Sequence, residues 1–132
     1  MSKLPMIARI LLGLVFTVFG ANKIIHFLPM PPMEGAAGDL MGGLMKSGFF
    51  FPLLGAVETV AGLLLLSGRY VPLGLAMLAG PVVGILAFHV TLAMAGLPVA
   101  LVCLLLEVYL AYAYRDSFAG VLNAKAAPTS SR

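Results

Sequence analysis

Residues 49–68 read FFFPLLGAVETVAGLLLLSG, an apolar run long enough to cross a bilayer with a single carboxylate, Glu58, inside it. An ionised carboxylate in hydrocarbon costs at least about 2.5–3.5 kcal/mol on insertion scales, so a leucine would sit there far more cheaply. Gly55, Ala61 and Gly62 lie three or four residues from Glu58 and share its helix face. Small residues let helix backbones approach, so this face predicts a helix–helix contact with Glu58 pointing into a bundle.

Working outward, the whole chain has the same character. Its 132 residues are 61% hydrophobic and 10% charged, with a mean hydropathy of +1.08. Soluble domains carry about 25% charge. The composition therefore predicts an all-α integral membrane protein, a four-helix bundle with each span needing about 20 residues. The net charge of +3 comes from eight scattered basic residues, which form no nucleic-acid-binding face. A lone cysteine, Cys103, excludes an internal disulfide or a CxxC pair.

The spans are expected at 4–27, 50–67, 70–95 and 98–115, in a single domain over 1–118 followed by a flexible cytoplasmic tail over 119–132. The first run is too long for a signal-peptide core and carries Lys23 near its end. Arg9, Gly13, Phe16, Gly20 and Lys23 form one stripe along it, matching the Gly55/Gly62 face of the second span. Between these spans, the prolines of PMPPM break the helix. The segment 34–48 places Leu40, Met41, Leu44 and Met45 at helical spacing, which predicts a short interfacial helix between helices one and two. Gly80 and Gly84 form a GxxxG pattern around Pro81, read as a close helix contact. Six of the basic residues fall on one side by this count, and the positive-inside rule puts both termini in the cytoplasm.

Depth along the helices, at about 1.5 Å per residue, brings three ionisable groups to one level. Lys23 lies about 6 Å, His89 about 8 Å and Glu58 about 10 Å below the outer helix ends. With Asn22 beside Lys23, these four residues are the candidate ligand-binding or buried polar cluster. Arg9 and Glu107 are the candidate second buried pair. Gly13, Gly20, Gly55, Gly62, Gly80 and Gly84 are the candidate packing positions. Buried ionisable groups in membranes mark functional sites. The plainer alternative is that the charges only fix helix register.

His26, Met30 and Met33 could offer soft ligands to Cu(I), although methionine is also a common apolar filler. Cys103 reads as packing. No HExxH, phosphate-binding glycine loop, GxSxG or histidine pair at i, i+4 is present, so no residue is assigned a catalytic role and none a covalent cofactor.

RILLGLVFTVFGANKI, residues 9–24, with its arginine, spaced glycines and G-x-x-K ending, resembles the first helix of the DoxX family. The following PLLGAVETVAGLLLLSGRYVPLGL resembles that family's E-x-x-x-G-x-L-L-L-x-G segment, carried by Glu58, Gly62 and Gly68. The resemblance covers about residues 5–95. It implies a four-helix membrane protein of the bacterial inner membrane. It also implies association with membrane oxidoreductase assemblies, with Arg9, Lys23 and Glu58 at the family's charged positions. The leading expectation is a non-catalytic accessory subunit of a larger redox or respiratory complex, partnered by other membrane subunits or by copies of itself. The alternative is a quinone- or lipid-binding protein with an outer-half pocket at Lys23, Glu58 and His89. A proton-coupled transporter is weaker, because no internal inverted repeat is visible.

Overall fold

The computed structural model describes residues 3–30 and 32–129. Residues 1–2 of the expected domain and 130–132 of the expected tail, Arg132 among them, lie outside the described residues. The described chain is all-helical, with five α-helices: α1 (Leu4–Ile25), α2 (Gly35–Lys46), α3 (Phe50–Ser67), α4 (Val71–Thr91) and α5 (Leu97–Ala113). α1, α3 and α4 are long and apolar enough to cross a membrane. So is α5 together with the 3-10 turn Met94–Gly96 that leads into it. α2 is the short helix expected between the first two spans.

The helix ends follow local chemistry. Prolines sit in the first turns of α1, α4 and α5, where the missing N–H would have had no partner anyway. α3 ends at Gly68, whose φ of 73° lets its N–H reach back to the carbonyls of Leu64 and Leu65. α4 continues as helix through Pro81 and stops at Thr91, four residues earlier than its hydropathy predicts. Beyond α5, in the segment from 119 expected as a tail, the backbone makes hydrogen-bonded turns. The N–H of Leu122 donates to Phe118 and that of Asn123 to Gly120.

The four spans form a ring in which α1 packs on α3, α3 on α4, α4 on α5 and α5 back on α1. Their shared core holds Leu12, Phe16, Leu65, Leu75, Leu78, Val82 and Leu110, all at most 2% exposed. The α1–α3 seam is by far the most extensive contact. It is antiparallel and built from small residues on both sides. An added Cβ on Gly13 would lie 2.9 Å from the Gly62 carbonyl, and one on Gly55 would lie 2.6 Å from the Gly20 carbonyl. The Thr17 hydroxyl rests against Gly62 and that of Thr59 against Gly20, each burying a polar knob in the opposite helix's glycine notch. These two threonines escape a reading that looks only for glycine and charge.

Arg9 and Lys23, the two cations of the α1 stripe, both end on α3. The Arg9 guanidinium donates to the carbonyls of Leu65 and Leu66, the latter at 3.2 Å. These are last-turn carbonyls of α3, with no partner inside the helix, and they carry the negative end of its dipole. Arg9 therefore does not pair with Glu107 as expected. Helix rise leaves the azimuth open; Arg9 faces α3, and the α3 terminus satisfies it.

Candidate functional site

At the α2 end of the ring the helices part around a cavity of about 1170 Å³, walled by all five helices and the linker before α2. The volume exceeds the roughly 300–1,000 Å³ of ordinary small-molecule sites. Most of the wall is apolar, with Phe16, Phe19, Ile85 and Phe88 among its residues. Few side chains on this wall are polar, and they include the cluster expected from helix depth: Asn22, Lys23, Glu58 and His89.

Lys23 Nζ lies 2.7 Å from Glu58 Oε1, which makes a hydrogen-bonded ion pair between α1 and α3. The two partners differ in access. The Glu58 side chain is 1% exposed and that of Lys23 25%. Both side chains line the cavity, the carboxylate nearly fully buried and the ammonium keeping two further N–H groups beyond the pair. Glu58 Oε2 has no hydrogen-bond partner among the described residues.

His89 does not reach this pair. Its Nδ1 lies 3.0 Å from the Ala93 carbonyl. A carbonyl only accepts, so Nδ1 carries the proton and, in the neutral ring, Nε2 is left as an acceptor. Gly96 makes this placement possible, since a Cβ there would come within 2.5 Å of Nδ1. Asn22 is spent on structure: its Oδ1 accepts from the Leu28 N–H at 2.6 Å, closing the chain reversal after α1.

One expectation changes here. Gly80 and Gly84 do not mediate a helix contact, because nothing lies within 4 Å of a Cβ built on either, and both line the cavity. A GxxxG pattern reports where backbone is bare, and here that bareness makes room. His26, Met30 and Met33 also line the cavity, joined by Met41 and Met45 of α2. Among the described residues no group of three or more His, Cys, Asp or Glu side chains is close enough to hold a metal.

The apolar lining carries no sequence signal of its own, because Phe16, Ile85 and Phe88 look like any core residue. Cys103, read as packing, is buried and also lines the cavity. Of the polar groups on this lining, the Lys23 ammonium can donate and the neutral His89 Nε2 can accept a hydrogen bond.

The DoxX family model aligns with residues 4–92, α1 through α4. The chain belongs to the DoxX family. The match covers the α1–α3 seam, the ion pair and His89; α5, with Cys103 and Glu107, follows the matched segment. No curated protein and no solved structure shows a significant match. As a DoxX protein with four bilayer-length apolar helices, it is an integral membrane protein that crosses the bilayer several times.

Proposed function

We propose that this DoxX protein is a non-catalytic binding protein that takes a quinone-class lipid into its cavity and serves a membrane redox complex. One observation carries the reading: an apolar cavity of about 1170 Å³ with the Lys23 ammonium on its wall and His89 nearby on the same lining. The bulk of the cavity suits an isoprenoid or acyl chain. A ring carbonyl accepts from Lys23, and a ring hydroxyl, in the reduced form, donates to His89 Nε2. Since Glu58 neutralises Lys23, the site favours a neutral head group over an anion.

The accessory role rests on family association with oxidoreductase assemblies, and partner subunits or a second copy would contact the outward faces of the spans. The distribution of Lys3, Arg9, Arg69, Arg115 and Lys125 supports cytoplasmic termini in a bacterial inner membrane. In that orientation the cavity and α2 lie on the periplasmic side.

The test is quinone binding to the full chain in nanodiscs, read by native mass spectrometry and by displacement titration. The expected result is one saturable site. The double variant Lys23→Met/Glu58→Leu removes the charges as a pair and leaves an apolar wall, so it should stay folded and bind at least tenfold more weakly. Unchanged affinity in that variant overturns the reading.

A further inference from the structure

A second hollow lies toward the other end of the bundle, on the α4–α5 face. It measures about 300 Å³ and is lined by Leu75, Ala76 and Ala79 of α4, Glu107 and Ala111 of α5, and Phe118 of the 3-10 turn that follows. Its walls are apolar apart from two side chains, Glu107 and Arg115, which both line it. Glu107 is 8% exposed. Its Oε1 is buried without a hydrogen-bond partner, and no hydrogen bond or ion pair involves its carboxyl group among the described residues.

The nearest candidate cation is otherwise engaged. Arg115 donates through Nη1 to the Tyr112 carbonyl at 2.9 Å, and its guanidinium carbon sits 4.3 Å over the Tyr112 ring. It is therefore held against its own helix end, about two turns from Glu107. Arg9, once expected to serve Glu107, is satisfied by α3. An unpaired carboxylate in a low-dielectric groove is costly, and a cation with an apolar body removes that cost on entry.

We propose that Glu107 and the surrounding α4–α5 hollow form a binding site for a primary ammonium group carried on an apolar chain. The small alanines at 76, 79 and 111 admit the chain, and the carboxylate receives the ammonium as a charge-assisted hydrogen bond. This site is independent of the quinone cavity: it has separate walls and lies on a different helix pair from the Lys23–Glu58 seam. The chemistry could be delivered by a free lipophilic amine or by an aminophospholipid head group.

The experiment titrates decylammonium into the full chain in phosphatidylcholine nanodiscs, with decanol as the neutral control of equal chain length. Saturable binding is expected, at least tenfold tighter than decanol. Glu107→Gln, which keeps the shape of the side chain, should bring decylammonium down to the decanol level. Ala79→Phe, which fills the hollow, should produce the same loss, and Arg115→Gln should leave binding intact. Adding phosphatidylethanolamine to the nanodiscs separates the sources: competition identifies the head group, and unchanged binding identifies the free amine. Equal affinity for decylammonium and decanol, or undiminished binding in a folded Glu107→Gln protein, overturns the proposal. So does loss of binding in Arg115→Gln, because the anchor would then be the guanidinium.

Discussion

Lys23 Nζ stands 2.7 Å from Glu58 Oε1, and of the two side chains the lysine is 25% exposed and the glutamate 1%. The pairing makes Glu58 a buried counter-charge that holds Lys23 in place.

Breaking the pair from one side should therefore be severe. Lys23→Met leaves Glu58 buried and unpaired, a change expected to cost about 3–5 kcal/mol. Adding Glu58→Leu should recover most of that loss, because an apolar replacement of a buried pair is often neutral. Thermal unfolding in mild detergent compares the two; equal melting temperatures for the single and double variants would contradict this account.

Glycines at the seam and at the cavity should respond in opposite directions to the same methyl group. In Gly62→Ala the new Cβ meets the Thr17 amide nitrogen at 2.6 Å and the Gly13 carbonyl at 2.8 Å, and only a backbone shift relieves it. Overpacking of this kind costs about 1–3 kcal/mol. In Gly84→Ala the methyl meets nothing, and the better helix propensity of alanine should add up to about 1 kcal/mol. Denaturant titrations in detergent micelles distinguish the signs.

Filling the cavity should separate binding from folding. Gly84→Leu projects a side chain into the hollow from a position with open space around it. It is expected to weaken quinone binding at least tenfold while leaving the melting temperature within a few degrees. A large fall in melting temperature would show that position 84 packs where the structure places open space.

Arg9→Met removes the charge-assisted hydrogen bonds to Leu65 and Leu66 and exposes the α3 terminus to an apolar neighbour. The expected loss is about 1.5–3 kcal/mol. Arg9→Lys should restore part of it, since an ammonium still complements the helix dipole but cannot fork across two carbonyls.

Gly96→Ala is expected to act on the ligand through His89. The added Cβ would displace the imidazole from the Ala93 carbonyl. One hydrogen bond of about 1 kcal/mol is lost from the fold. Binding of the reduced, hydroxyl-bearing quinone should weaken more than binding of the oxidised form. Equal weakening of both forms would remove His89 as the acceptor.

Much of this molecule is legible in its sequence, for physical reasons. Apolar length announces the spans, and small residues spaced around Glu58 announce the face that packs. Counting rise along α1 and α3 brings Lys23 level with Glu58, and the shared seam supplies the facing. Rise along a helix gives no azimuth, so the sequence does not distinguish an Arg9 that turns to the acid on α5 from the one in the structure, which turns toward α3. The Gly80/Gly84 pattern is ambiguous for a related reason. A bare backbone can receive another helix or leave a void, and only the surrounding helices decide which. The cavity itself was invisible because its walls are ordinary Phe, Ile and Met residues. An empty volume belongs to the packing of five helices and to no single stretch of the chain.

The α1–α3 seam also bears on how the chain enters the bilayer. Its cation and anion lie on consecutive spans, so neither is neutralised until both helices have left the translocation machinery. α1 and α3 should thus partition into lipid as a preassembled hairpin, with α4 and α5 following onto a finished template. A nascent chain stopped short of residue 58 would hold Lys23 at the water interface, and its first helix would ride shallower than in the complete protein.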